Sequence, residues 1–143
     1  MDKTTILEKY KSALLHENKR VPFSSRLEHA PNAAGIYGVF LGHELIYVGE
    51  SGCVKKRMRD VGSTYNHTLR RSIGAENFHG LPDYVPATSK RKFPDHIEAL
   101  LDEYFSGLMV SFVEIDFGRT ETEEYLVELL SPKYNKKKKR KFA

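Results

Sequence analysis

Apolar residues recur along the chain at two spacings, one typical of helices and one typical of strands. Over residues 2–17 they return every three or four positions, which predicts an amphipathic helix. Over residues 108–117 apolar positions alternate, which predicts a strand. The same criteria predict further helices at 53–61, 67–73, 94–105 and 120–130, and further strands at 35–41 and 44–49.

The order of these elements predicts a small α/β domain. The strands at 35–41 and 44–49 are separated by a short turn, which favours an antiparallel hairpin. Proline and glycine make residues 20–32 irregular and residues 74–92 rich in loops. We therefore expect one domain over residues 1–143, in which helices flank a three-stranded antiparallel sheet.

Composition is typical of a globular protein and indicates which cellular compartment to expect. Hydrophobic residues make up 40% of the chain and charged residues 29%, as in soluble domains. The single cysteine, Cys53, excludes an internal disulfide and a cysteine-rich zinc site. No apolar run approaches the ~20 residues of a membrane helix, and the N-terminus lacks the apolar segment of a secretory signal. We expect a cytoplasmic protein.

Positive charge is in excess and is concentrated in the tail, residues 136–143. The formal net charge is +4, and positions 136–141 are all cationic. Such a run cannot bury apolar surface, so we expect it to be disordered when free. A basic balance favours a polyanionic partner such as nucleic acid. The predicted nucleic-acid contacts are Lys55, Lys56, Arg59, Arg70, Arg71, Lys136, Lys137 and Lys138.

The predicted hairpin carries one tyrosine on each strand, in the segments Gly35-Ile36-Tyr37 and Tyr47-Val48-Gly49. A tyrosine hydroxyl can position a water molecule or, if nearby cations lower its pKa, act as a general base. Arg57 follows on the next predicted helix, and a guanidinium can hold two phosphate oxygens at once. The alternative for both residue types is structural, namely a packed tyrosine ring and a solvated helix face.

The last predicted helix carries several glutamates, of which Glu123 is the candidate metal ligand. Acidic residues near a helix N-terminus are common because they offset the helix dipole. Glu123, however, precedes Leu126 and Leu130 by one and two turns on the stripe that we expect to face the core. A carboxylate there must be paired or must bind something, and a divalent cation is a natural partner. Glu124 stays as the alternative, since a one-residue shift in register would select it.

These residues, in this order, resemble the GIY-YIG nuclease superfamily, which is named after the two tyrosine-bearing segments. Arg57 stands where the family's helix carries an arginine, and Glu123 stands in its metal-ligand position. The segment Pro132-Lys133-Tyr134-Asn135 resembles the family's terminal pattern, whose asparagine belongs to the active-site surround. The resemblance covers roughly residues 31–135, with a poorly matching stretch at 74–95. It implies the family's fold and metal-dependent cleavage of phosphodiester bonds.

Two positions depart from the family's pattern. Family members often carry tyrosine or histidine one turn after the arginine, where this chain has Val61. The nearest candidate to take that role is His67, which could act as a base or hydrogen-bond a phosphate. Some members carry lysine where this chain has Glu50, and the added carboxylate could repel phosphate or contact a second metal. We expect Glu50 to be exposed and secondary.

The sequence therefore predicts a divalent-metal-dependent endonuclease that hydrolyses phosphodiester bonds in DNA. Its expected catalytic residues are Tyr37, Tyr47, Arg57, His67, Glu123 and Asn135. Glu123 would hold one Mg²⁺ or Mn²⁺ ion, and Tyr37, with Tyr47 as second choice, would orient or deprotonate the attacking water.

Two other interpretations come from different classes of protein. One is a noncatalytic nucleic-acid-binding module on the same fold, and the other is a basic adaptor that binds through its tail. We expect no room for a separate specificity domain. Sequence specificity would then require a protein partner, a homodimer or the 74–92 segment.

Overall fold

The computed structural model describes residues 2–135, so the predictions for Lys136, Lys137, Lys138 and the rest of the tail lie outside the described residues. The helices are α1 (Lys3–Leu15), α2 (Arg26–His29), α3 (Val54–Val61), α4 (Thr68–Phe78), α5 (Asp95–Ser106) and α6 (Arg119–Leu130). The strands are β1 (Val21–Pro22), β2 (Gly35–Leu41), β3 (Glu44–Ser51) and β4 (Leu108–Glu114). None of the helices within residues 2–135 has both the length and the apolar character that crossing a bilayer needs.

The strands form one antiparallel sheet in the order β1-β4-β2-β3, which confirms the predicted α/β class. The described sheet has four strands and not three, because β1 lies in a segment predicted to be irregular. Val21 of β1 pairs with Val110, and Pro22 pairs with Met109. Pro22 fits at this edge of the sheet because it has no N–H to donate to a further strand.

Most predicted boundaries lie within a few residues of the observed ones, and the larger differences have local causes. β4 ends at Glu114 and not at residue 117, because residues 116 and 117 bend before α6. α4 continues to Phe78, past the predicted end at residue 73. Gly74 does not break this helix. The Phe93 ring packs so closely against Gly74 that a Cβ atom at this position would collide with the ring.

Two apolar layers cover the two faces of the sheet. Alternation along β2 directs Ile36 into one layer and Tyr37 into the other. The layer that contains Tyr37 packs α3, α4 and α5 against the sheet, and the layer that contains Ile36 packs α1 and α6 against it. Leu126 of α6 is buried in the second layer, whereas Leu130, which we expected to face the core, is exposed.

The hairpin of β2 and β3 brings the two motif tyrosines to the same face of the sheet. Tyr37 lies opposite Gly49, and Val39 lies opposite Tyr47. A Cβ atom at position 49 would overlap the ring and hydroxyl of Tyr37, so glycine is required there. The register shifts after Val39, which leaves Ile46 as an extra residue on β3. Both tyrosines therefore turn toward the layer formed with α3, α4 and α5.

Candidate active site

Five of the six side chains predicted to be catalytic lie together beside β2 and β3. They are Tyr37, Tyr47, Arg57, His67 and Glu123. The ring centroids of Tyr37 and Tyr47 are 6.0 Å apart, and those of Tyr47 and His67 are 5.4 Å apart. Arg57 interacts electrostatically with both tyrosines, and the Glu123 carboxylate interacts with Tyr47. We call these five residues the tyrosine cluster.

His67 is a buried, neutral histidine that contacts Tyr37. Its Nδ1 accepts a hydrogen bond of 3.0 Å from the backbone N–H of Leu69, so His67 caps α4. Burial, followed by the charges of Arg57 and Arg71, lowers the pKa of His67 to about 4. With Nδ1 accepting, the ring proton of the neutral imidazole is on Nε2. Nε2 therefore donates to the Tyr37 hydroxyl, 3.0 Å away.

The hydrogen bonds around Tyr37 set the direction of its own proton. Burial raises the pKa of the Tyr37 hydroxyl well above its ordinary value, and Arg57 offsets this only in part. Since His67 and Arg57 both donate to the Tyr37 oxygen, the Tyr37 proton is directed to the Tyr47 oxygen. Burial and then Glu123 raise the pKa of Tyr47, while the hydrogen bond from Tyr37 opposes them. Tyr37 is 1% exposed, so Tyr47, which is only partly buried, is the more accessible tyrosine.

α3 presents Arg57 to the cluster because the neighbouring face of this helix is buried. Val54, Met58 and Val61 all lie in the core. Arg57 is partly exposed beside them and hydrogen-bonds the Tyr37 hydroxyl. Val61, the position that departs from the family's pattern, is thus a core residue. The histidine that contacts the cluster comes instead from the segment that follows α3.

α6 directs Glu123 to the cluster and Glu124 elsewhere. Glu123 is partly buried, and its charge raises the pKa of Tyr47 after the larger effect of burial. Glu124 is exposed and interacts with Lys3 of α1. This geometry favours Glu123 over Glu124 as the candidate metal ligand.

A single carboxylate at the cluster suits a hydrated divalent cation. Mg²⁺ is commonly bound by one or two carboxylates together with water and substrate phosphate oxygens. Within residues 2–135, no group of three or more His, Cys, Asp or Glu side chains could hold a metal by itself. Glu123 places one carboxylate close to Tyr47. This donor set fits one Mg²⁺ or Mn²⁺ ion whose remaining ligands come from water and substrate.

Asn135, the sixth predicted catalytic residue, is bound to the backbone of β3. The backbone N–H of Val48 donates to Asn135 Oδ1, and Asn135 Nδ2 donates to the Val48 carbonyl, both at 2.8 Å. The backbone N–H of Tyr134 also donates to the Ile46 carbonyl, at 2.9 Å. These contacts cover the outer edge of β3 on both sides of Tyr47. Asn135 is therefore held against the strand that carries Tyr47, a place that suits a positioning role.

Glu50 has a charged partner that sequence reasoning missed. Arg119 Nε donates to Glu50 Oε2 at 2.6 Å, which joins the end of β3 to the first turn of α6. Glu50 is partly buried and paired, and not exposed as we expected. The cation opposes the charge that would otherwise repel phosphate. No local pattern in the sequence indicates this pair, because Glu50 and Arg119 lie 69 positions apart.

Two cations predicted to contact nucleic acid instead support the loop before α4. Arg70 is 6% exposed, and it donates to Thr64 Oγ1 at 3.0 Å and to Asp102 Oδ1 at 2.8 Å. A buried guanidinium with these partners cannot reach a phosphate, so the prediction for Arg70 is wrong. Arg71 Nη1 donates to the carbonyls of Thr64 and Tyr65, at 2.6 and 3.0 Å. The remaining predicted contacts on described residues are Lys56 and Arg59, which are exposed on α3, and Lys55, which is partly buried.

Residues 25–142 match a family model described as GIY-YIG catalytic domain. Among solved structures, the chain is similar to the GIY-YIG N-terminal endonuclease domain of UvrC from Thermotoga maritima bound to its catalytic divalent cation, magnesium. The identity is 17% and the TM-score 0.43, over 80% of this chain and 96% of that one. A point mutant of that domain, also bound to its catalytic divalent cation, gives 15% and 0.44, over 80% and 94%. No curated protein gives a significant match.

Proposed function

Because the chain belongs to the GIY-YIG catalytic domain family, we propose that it is a divalent-metal-dependent endonuclease that hydrolyses phosphodiester bonds in DNA. One observation carries the proposal: two tyrosine hydroxyls, a guanidinium, a neutral imidazole and a carboxylate meet in the tyrosine cluster. Phosphodiester hydrolysis requires groups that orient water, offset phosphate charge and hold a cation, and the cluster contains a candidate for each. The net charge of +4 favours a polyanionic substrate.

In this proposal the Tyr47 hydroxyl, which its raised pKa keeps protonated, orients the attacking water through a hydrogen bond. Tyr37, the first choice from the sequence, is buried, and its proton is directed at Tyr47. The Tyr37 hydroxyl is therefore badly oriented to hydrogen-bond the attacking water. Tyr37 and His67 instead act as positioning residues, because their hydrogen bonds hold the Tyr47 oxygen in one orientation.

Arg57 and Glu123 supply the charges that the reaction needs. The Arg57 guanidinium is partly exposed and can donate to the nonbridging oxygens of the scissile phosphate. Glu123 would hold one Mg²⁺ or Mn²⁺ ion, which when bound stabilises negative charge on the phosphate and on the leaving oxygen. His67 is neutral near pH 7, so it orients Tyr37 without adding a charge.

The noncatalytic alternative depended on Glu50 and Val61. Glu50 is paired with Arg119, so its charge is opposed by a cation. Val61 is buried in the core, and His67 reaches the cluster from another segment. Neither departure removes a group from the tyrosine cluster, and for that reason we favour the catalytic function.

A plasmid-nicking assay with Mg²⁺ or Mn²⁺ tests the proposal, using Glu123→Ala and the matched variant Glu124→Ala. Both substitutions remove one carboxylate from adjacent positions of α6. We expect Glu123→Ala to lose cleavage by at least about 100-fold, as for removal of a group that holds transition-state charge. Glu124→Ala should stay within a few-fold of wild type. Retained cleavage in Glu123→Ala, or no cleavage by the wild type with either metal, would contradict the proposal.

A further inference from the structure

A short basic turn, residues 88–92, lies in the segment that matches the family poorly. The backbone N–H of Thr88 donates to the Arg91 carbonyl at 2.8 Å, and that of Arg91 donates to the Thr88 carbonyl at 3.3 Å. Arg91 Nη2 also donates to the Pro86 carbonyl at 2.8 Å. Lys90, Arg91 and Lys92 are all exposed. The turn therefore carries three consecutive cations on a backbone held by its own hydrogen bonds.

The basic turn is anchored to the core by the residue that follows it. Phe93 is 3% exposed and packs against Gly74 of α4. Tyr84 precedes the turn in sequence, and the centroid of its ring lies 5.9 Å from that of the Phe93 ring. Because both ends of the segment meet at this aromatic pair, the cations of the turn are held at a defined place relative to α4.

The basic turn adjoins the loop that leads into the tyrosine cluster. Lys92 Nζ lies 5.6 Å from the centroid of the Tyr65 ring, a cation–π distance. The backbone of Tyr65 is held in place, since its carbonyl accepts from Arg71 at 3.0 Å. His67 follows two residues later and contacts Tyr37. Successive Cα atoms are about 3.8 Å apart, so the Cα atoms of Tyr65 and His67 are within about 8 Å.

The three cations of the basic turn are adjacent in sequence, and no nearby carboxylate of the described residues neutralises them. Within residues 2–135, no carboxylate lies within ion-pair distance of Lys90, Arg91 or Lys92. Cations elsewhere that do have such a partner are Lys3, Lys11, Arg70, Arg119 and Lys133. Three adjacent cations without a carboxylate repel one another, and a polyanion relieves that repulsion.

We propose that the basic turn binds the nucleic-acid backbone beside the cleaved bond, through phosphate contacts of Lys90 and Lys92. The inference rests on the proposed nuclease function and adds to it a second contact surface. A nucleic-acid strand advances about 3.4 Å per nucleotide. A surface one loop away from the tyrosine cluster therefore meets the backbone a few nucleotides from the cut. Arg91 holds the turn through Pro86, and the two lysines supply the phosphate contacts.

The test compares two doubly neutralised proteins of equal charge. Lys90→Gln/Lys92→Gln leaves Arg91 and its contact with Pro86 in place, whereas Lys9→Gln/Lys19→Gln removes two exposed cations at α1 and the turn after it. Binding of a DNA duplex, without divalent metal, is measured by fluorescence anisotropy over a series of salt concentrations. Thermal unfolding of both variants confirms that they are folded.

We expect only the Lys90/Lys92 variant to lose DNA affinity and part of its salt dependence. Two phosphate contacts fewer should reduce the slope of log affinity against log salt by about 2 and weaken binding at low salt by about tenfold or more. The Lys9/Lys19 variant should keep the wild-type slope. Equal slopes for the two variants would overturn the inference about the turn while leaving the nuclease proposal intact. If the wild type neither binds nor cuts DNA, the proposed function fails and this inference fails with it.

Discussion

Burial of His67 makes the stability of the protein depend on pH. Burial and the nearby Arg57 and Arg71 lower the pKa of His67 to about 4, from an ordinary value of 6.5. Below about pH 6.5 the unfolded chain takes up a proton that the folded chain does not bind until about pH 4. The free energy of unfolding therefore falls as the pH falls through this window. The full effect is about 3 kcal/mol, of which about 2 kcal/mol is already lost at pH 5.

Urea unfolding of the wild type and of His67→Asn, between about pH 8 and pH 5, measures this effect. Asparagine does not titrate and is a favourable N-cap, so the variant keeps the start of α4. The wild type should lose about 2 kcal/mol more than the variant over this range. His29→Asn is the matched control. His29 is exposed on α2, so the free energy of unfolding of this variant should depend on pH as that of the wild type does.

Equal pH dependence in the wild type and His67→Asn would refute this reasoning. It would mean that His67 is protonated as readily in the folded protein as in the unfolded chain. A charged His67 would carry protons on both ring nitrogens, and Nδ1 could no longer accept from Leu69. The proton positions inferred for the Tyr37 and Tyr47 hydroxyls depend on a neutral His67, so they would no longer follow.

Three further substitutions test the packing around the tyrosine cluster. Gly49→Ala should displace the Tyr37 ring, lower the free energy of unfolding by about 1–3 kcal/mol and reduce cleavage, as measured by denaturation and by nicking. Asn135→Asp keeps an acceptor for the Val48 N–H but no donor for the Val48 carbonyl, so urea unfolding should show a loss of about 1–3 kcal/mol. Arg70→Met should lower the free energy of unfolding by about 1–3 kcal/mol, since it removes buried hydrogen bonds, while the salt dependence of DNA binding stays unchanged. A weaker salt dependence in that variant would restore Arg70 as a phosphate contact.

The parts of the fold that could be predicted from sequence are those set by local signals. The hairpin of β2 and β3 follows from two β-rich runs and a short turn. Its register then brings Tyr37 and Tyr47 to one face, and Arg57 follows on the next helix. Glu123 could be chosen because helical spacing relates it to Leu126, which is buried. Each of these inferences depends on residues that are close in sequence.

The parts that could not be predicted depend on partners that are distant in sequence. β1 has only two residues and no periodicity of its own, and it forms because Val21 meets Val110. Arg70 has the composition of a surface residue, but Asp102 on another helix and the Thr64 hydroxyl hold it in the interior. Asn135 contacts Val48 only because the chain returns along the open edge of β3. Only the tertiary fold sets these pairings.

Single-turnover cleavage of an end-labelled DNA duplex is the sharpest test of whether the tyrosine cluster cuts DNA with a divalent metal. The rate is measured against Mg²⁺ concentration for the wild type and for Tyr47→Phe. We expect no cleavage in EDTA, a rate that rises and saturates with Mg²⁺, and a loss of about 10²–10⁴-fold in Tyr47→Phe at unchanged DNA affinity. Cleavage by the wild type in EDTA, or an unchanged rate in Tyr47→Phe, would contradict the claim.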